Sequence, residues 1–164
     1  MRKSHDLKGF YHEVMEESDR GAALLCAALL DEQLFQFLKA YFVDDAEAAL
    51  KLMDPEKPLG SFRAKIHLAY CMGLLTEDAY RDLLTISQIR NDFAHKLHGL
   101  TFNDLGMVEQ CDKLRVGMKP LNEFKSARDR FLSVANLLHY EMGIKVESLR
   151  REWAQRCQIP AMMV

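Results

Sequence analysis

The chain has 164 residues, 49% of them hydrophobic and 28% charged, with a formal net charge of −2. That length holds one continuous core, and this balance of residues excludes an intrinsically disordered chain. Its four prolines and eight glycines are dispersed and nothing recurs at a fixed period, so residues 1–164 are expected to form a single domain.

Helical periodicity runs almost throughout, and no alternating strand pattern survives inspection. A first helix is expected over Asp6 to Glu17. Ser18 or Asp19 then caps a long helix reaching Val43, in which Ala23, Leu24, Ala27, Leu30, Leu34, Phe37, Leu38 and Tyr41 recur at three- and four-residue steps. Asp44 and Asp45 suit the positive end of a helix over Ala46 to Met53. Pro55 and Pro58 break the chain, Gly60 or Ser61 opens a helix to Met72, and Gly73 ends it. Thr76 caps a helix through Ile86, Ile89 and Phe93 to about His98, closed by Gly99. Asn103 caps one to about Arg115. Beyond Gly117 and Pro120 come a long helix near Asn122–Tyr140 and a last one, Lys145 to Cys157. Six to eight helices with short loops make an all-α bundle.

Charge is unevenly spread: residues 1–60 carry seven Lys/Arg against twelve Asp/Glu, residues 101–164 ten against eight. Neither part has the dense basic surface that makes nucleic acid the default partner, and the basic tail (Arg128, Arg130, Lys145, Arg150, Arg151, Arg156) reads as a solvated stripe. The opening MRKSHDLKGF lacks the apolar run of a leader, and the longest apolar stretch, Gly21 to Leu30, is too short to span a bilayer. Cys26, Cys71, Cys111 and Cys157 are scattered without a CxxC pair, which points away from zinc or disulfides and towards the cytoplasm. No phosphate-cradling glycine loop, HExxH, calcium loop or GxSxG elbow is present, so no cofactor or metal is expected. The His12–Glu16 pair is read as a surface contact and His67 as a hydrogen-bonded structural residue. A helix-turn-helix at Ser61–His98 is disfavoured, because the acidic turn Thr76-Glu77-Asp78 would face phosphates.

The segment Arg90-Asn91-Asp92-Phe93-Ala94-His95 remains. Ile86, Ile89, Phe93 and Leu97 form one apolar stripe, with Arg90 about 40° from Ile86 on its flank. A guanidinium there is expected to need a carboxylate, a carbonyl or a bound anion. Tyr80, Leu84, Asn91 and His95 share a second face, too apolar to be wholly solvated, which predicts contact with another helix or with a second subunit in a homodimer.

Pro58-Leu59-Gly60, then Lys65, Leu68, Tyr70 and Gly73, then Tyr80 and the Arg90…His95 pair, resemble the mannitol operon repressor family, MtlR, over roughly Ala22 to His98. The resemblance implies an all-α bundle and a role in transcriptional regulation. It brings no catalytic residues and no DNA-reading motif, so repression through a protein partner is expected rather than direct DNA binding. The same segment also resembles the Arg-x4–6-His motif of HEPN domains, many of which are metal-independent ribonucleases. That likeness implies an alternative in which His95 transfers protons at a ribose hydroxyl, Arg90 steadies the phosphorane and Asn91 completes the motif, although Leu97 stands where a tyrosine is frequent. A third reading, from the acidic N-terminal half, is an immunity or antitoxin protein that covers a basic toxin.

Overall fold

The computed structural model describes residues 7–42, 46–96, 98–115 and 124–156. Among them lie seven helices and no strand: α1 (Leu7–Glu16), α2 (Asp19–Tyr41), α3 (Ala46–Met53), α4 (Phe62–Cys71), α5 (Glu77–His95), α6 (Leu105–Cys111) and α7 (Ala127–Arg156). The expected residues Asp44, Asp45, Leu97, Asn122 and Cys157 fall outside the described ones.

α2 is the axis of the bundle, packed most extensively on α7 and also against α5, α4 and α1. Its start is fixed by Ser18, whose hydroxyl accepts the Gly21 amide at 3.0 Å. Leu30, Leu34, Phe37 and Leu38 from α2 meet Ile66 of α4 and Leu83, Ile86, Ile89 and Phe93 of α5 in one continuous core. Phe102, from the loop before α6, joins Phe93 to Phe131 of α7, with ring centroids 5.0 and 5.1 Å apart. α2 is apolar and long enough to cross a membrane, which the ten-residue stretch considered in the sequence was not. Here that apolarity is spent on the core, where Leu30, Leu34 and Leu38 are 0% exposed.

Several boundaries differ from expectation, each for a physical reason. α5 stops at His95, because Lys96 turns extended and the Arg20 guanidinium of α2 takes its carbonyl. Gly99, at φ +77°, shapes the turn beyond and does not cap the helix. α6 begins after Asp104, not Asn103. The Asp104 carboxylate accepts the Thr101 amide (2.7 Å) and hydroxyl (2.9 Å), which together hold its carboxyl below the usual range. The two C-terminal helices are one: Leu138, Met142 and Val146 carry the buried stripe past Gly143 without a change of phase. Gly143 therefore sits inside α7, facing the Gln33 amide of α2.

Two arginines expected on a solvated stripe are instead clamps. Arg130 is 8% exposed and donates to the carbonyls of Asp112 (3.1 Å) and Leu114. Opposite it, Asp82 of α5, 0% exposed, accepts the Arg115 amide with both oxygens, at 3.0 and 2.9 Å. Together they end α6 at Cys111, short of the expected Arg115. Arg128 pairs with Asp19 and donates to the carbonyls of Val14, Met15 and Glu17, closing the carboxyl end of α1. Lys145 reaches the Leu74 carbonyl, and Arg150 and Arg151 turn to Glu147. Arg128 and Arg130 are thus consumed by internal contacts, whereas Lys145, Arg150 and Arg151 stay exposed as expected of a solvated stripe.

Candidate functional site, the outer face of α5

The site is built from the turn before α4. Gly60 is buried, and a Cβ there would lie 2.1 Å from the Asp54 carbonyl oxygen and 2.7 Å from that of Pro55, so only glycine lets the chain pass. Its amide bonds to Lys57 and that of Leu59 to Leu52, which locks the turn onto α3. Ser61 then caps α4 by accepting the Ala64 amide at 3.1 Å. One turn on, Lys65 is 5% exposed and reaches the Asp31 carboxylate of α2 at 2.6 Å. α4 ends in a Schellman closure, with Gly73 at φ +71°, its amide on the Tyr70 carbonyl and the Leu74 amide on that of Ala69.

That closure folds α4 back antiparallel on α5. Tyr70 stacks on Tyr80 with ring centroids 4.1 Å apart, and the Tyr80 hydroxyl lies 2.9 Å from His67 Nδ1. At the other end, Ser61 to Arg63 share a groove with Ser87, Arg90 and Asn91. Ten residues of α4 span about 15 Å and nineteen of α5 about 28 Å, so α4 covers only the first part of that face. The remainder overhangs.

The groove at the overhang has a volume of about 680 Å³, with Leu24, Leu25, Ala28 and Phe62 contributing apolar surface and Arg63 and Arg90 standing exposed beside it. A second groove of about 560 Å³ adjoins it through Arg63 and runs between α5 and α6 past Leu84, Gln88 and Lys113. Asp31, also on the first groove, is already neutralised by Lys65.

The expected site residues separate accordingly. Tyr80 and Leu84 are half-buried and pack against the core cluster, Asn91 is half-buried in the groove, and His95 is exposed at the end of α5. Arg90 finds one of its expected acceptors, the side-chain carbonyl of Asn91, donating to Oδ1 at 2.9 Å, but its guanidinium lies in the open and meets no carboxylate among the described residues. Leu83 and Ser87, farther round the same side of α5, are buried, so Arg90 is exposed because an open groove lies beside it and not because of its angle on the helix. His95, about 140° from Arg90 around the axis, does not line the groove that Arg90 and Asn91 share. Among the described residues no three His, Cys, Asp or Glu side chains gather as metal ligands. The Cys26 thiol is buried, which pushes it up to about 12.

Arg63 was missed in the sequence, although a signal existed. It is the second residue of α4, whose first turn holds no acid, and a cation at the positive end of a helix dipole opposes stability.

A family model described as mannitol repressor matches residues 12–149. None of the curated proteins matches the sequence significantly. Two solved structures share the fold. One is MtlR in the MtlR–HPr complex from Escherichia coli, at TM-score 0.57 and 18% identity, covering 87% of this chain and 99% of that one. The other is a possible transcriptional regulator, YggD, from Shigella flexneri, at TM-score 0.58 and 18% identity, covering 87% and 95%.

Proposed function

The chain belongs to the mannitol repressor family, MtlR, and from that premise we propose that it is a repressor-type regulator that acts by binding another protein rather than by reading DNA itself. The α4–α5 pair carries this reading. In a helix-turn-helix the second helix offers its first turn to base edges and phosphates. Here that turn bears Glu77 and Asp78, and Tyr80 behind it is stacked under Tyr70. Arg128 and Arg130 of α7, candidates for gripping phosphate, are used internally. The fold relative captured with HPr makes an HPr-type protein the first partner to try. Regulation of transcription places the action in the cytoplasm. The face of Tyr80, Leu84, Asn91 and His95, with the grooves beside it, is the proposed contact surface for that partner or for a second copy of the chain. The nuclease alternative needs Arg90, Asn91 and His95 around one phosphate, and His95 outside the groove does not favour it.

The test is a pair of titrations of the purified chain. An HPr-type protein should bind with micromolar or tighter affinity, and a promoter fragment should show no preference over random DNA. Nanomolar binding to the promoter at physiological salt, surviving excess nonspecific DNA, overturns the proposal.

A further inference from the structure

We propose that the groove between α2, the start of α4 and the overhanging half of α5 receives an acidic, amphipathic segment of a protein partner. Its leucine-type side chains would enter the groove and its carboxylates would meet Arg63 and Arg90. This rests on the reading that the chain works through a protein partner, and it specifies the surface and the chemistry.

Charge complementarity selects the occupant. Arg63 and Arg90 flank the same groove, both exposed, and neither has an ion pair among the described residues. The acid between them, Asp31, is already held by Lys65 at 2.6 Å, so it does not offset them. In the adjoining groove exposed Lys113 is matched by exposed Glu109, so the positive character belongs to Arg63 and Arg90, with the amino end of α4 adding potential of the same sign. Guanidinium groups bind carboxylates through two parallel hydrogen bonds, which gives such a surface direction as well as attraction. The apolar contribution excludes a purely ionic ligand. Leu24, Leu25 and Phe62 are only half-buried, and about 680 Å³ is room for several large side chains. An apolar anchor with acids on either side is the helix-in-groove pattern of recognition, here with negative flanks.

The probe is a fluorescein-labelled fifteen-residue peptide with leucine one helical turn apart and glutamate at most other positions, read by anisotropy against the full chain. A second peptide carries glutamine for every glutamate. The wild-type chain should bind the acidic peptide, more weakly as salt rises, and the glutamine peptide at least about tenfold more weakly. The double variant Arg63→Glu/Arg90→Glu should lose at least about tenfold in affinity for the acidic peptide while its melting curve stays within a degree or two of wild type. Failure of the wild type to bind, equal binding of the two peptides, or unchanged binding by the double variant overturns the inference. So does displacement of the peptide by single-stranded RNA at lower concentration, which assigns the groove to nucleic acid. A wild-type dimer that the double variant abolishes also overturns it, because a second copy is then the occupant. Titrating the wild-type chain with an HPr-type protein tests the broader reading alone, so the two can fail separately.

Discussion

Arg128 and Arg130, at the base of α7, and Arg63 and Arg90, beside the groove on α5, are the same side chain put to opposite uses. Around the first pair the chain presents unmet carbonyls, those of Val14, Met15 and Glu17 at the end of α1 and of Asp112 and Leu114 after α6. An arginine cannot shed its charge, so it becomes a clamp wherever such acceptors converge. Around the second pair the bundle offers one asparagine and an acid already engaged by Lys65. Those charges stay available to something outside the chain. The comparison teaches that an arginine's role is set by the acceptors folded around it and not by its angle on a helix.

The largest effect should come from the clamp. Arg130→Ala leaves the Asp112 and Leu114 carbonyls without their donor in a nearly closed site, at a cost of about 3 kcal/mol. Urea unfolding with an unchanged slope would measure it, and a loss below about 1 kcal/mol would show that the clamp is dispensable.

Gly60 links the two regions, since it sets where α4 begins and therefore where the groove opens. Gly60→Ala forces a Cβ against two backbone oxygens and should cost about 2 kcal/mol. If it also shifts α4, peptide binding at the groove should fall even in the folded fraction. A neutral substitution would mean that the turn yields freely.

Cysteine chemistry reports the same contrast more gently. Cys111 is buried under the clamp, and burial, with the Asp112 charge adding and Arg130 opposing, pushes its thiol up to about 12. The neutral thiol thus favours the fold through the ordinary thiol range, and that contribution fades as the pH rises towards 12. Since the thiolate is the reactive form, a thiol reagent at pH 8 should label the exposed Cys71 at the end of α4 promptly and Cys111 slowly. Peptide mapping checks this, and Arg130→Ala should quicken labelling at Cys111 without altering Cys71. Equal rates at both sites in the wild type would contradict the closed clamp.

Much of the fold was legible because helix ends carry their own chemistry. Ser18, Ser61 and Thr76 cap as expected, Gly73 closes α4, and Ala46–Met53 falls on its expected residues. The errors lie where distant residues decide. α6 is cut short by Asp82 and Arg130, and α5 is cut short by Arg20; none of these contacts has a local signature. A break was expected between Tyr140 and Lys145, yet a buried stripe running through Gly143 outweighs the cost of one glycine in a helix, about 1 kcal/mol. The candidate site was half legible. Periodicity placed Tyr80, Leu84, Asn91 and His95 on one face, but that α4 is too short to cover it appears only once the two helices are packed. Arg90 was expected to need a carboxylate, a carbonyl or a bound anion, and it meets only the Asn91 side chain in the open, since periodicity alone cannot say whether the flank of a stripe is enclosed.

The division of the arginines is tested most directly by thermal melts of Arg90→Ala and Arg128→Ala recorded side by side. Arg128→Ala, which breaks the pair with Asp19 and three carbonyl contacts, should lose about 3 kcal/mol, a fall in Tm of roughly 6–12 °C at this size. Arg90→Ala should stay within about 0.5 kcal/mol, or roughly 2 °C, of wild type. The reverse order, with Arg90→Ala the more damaging, would contradict the account and return Arg90 to the interior of the fold.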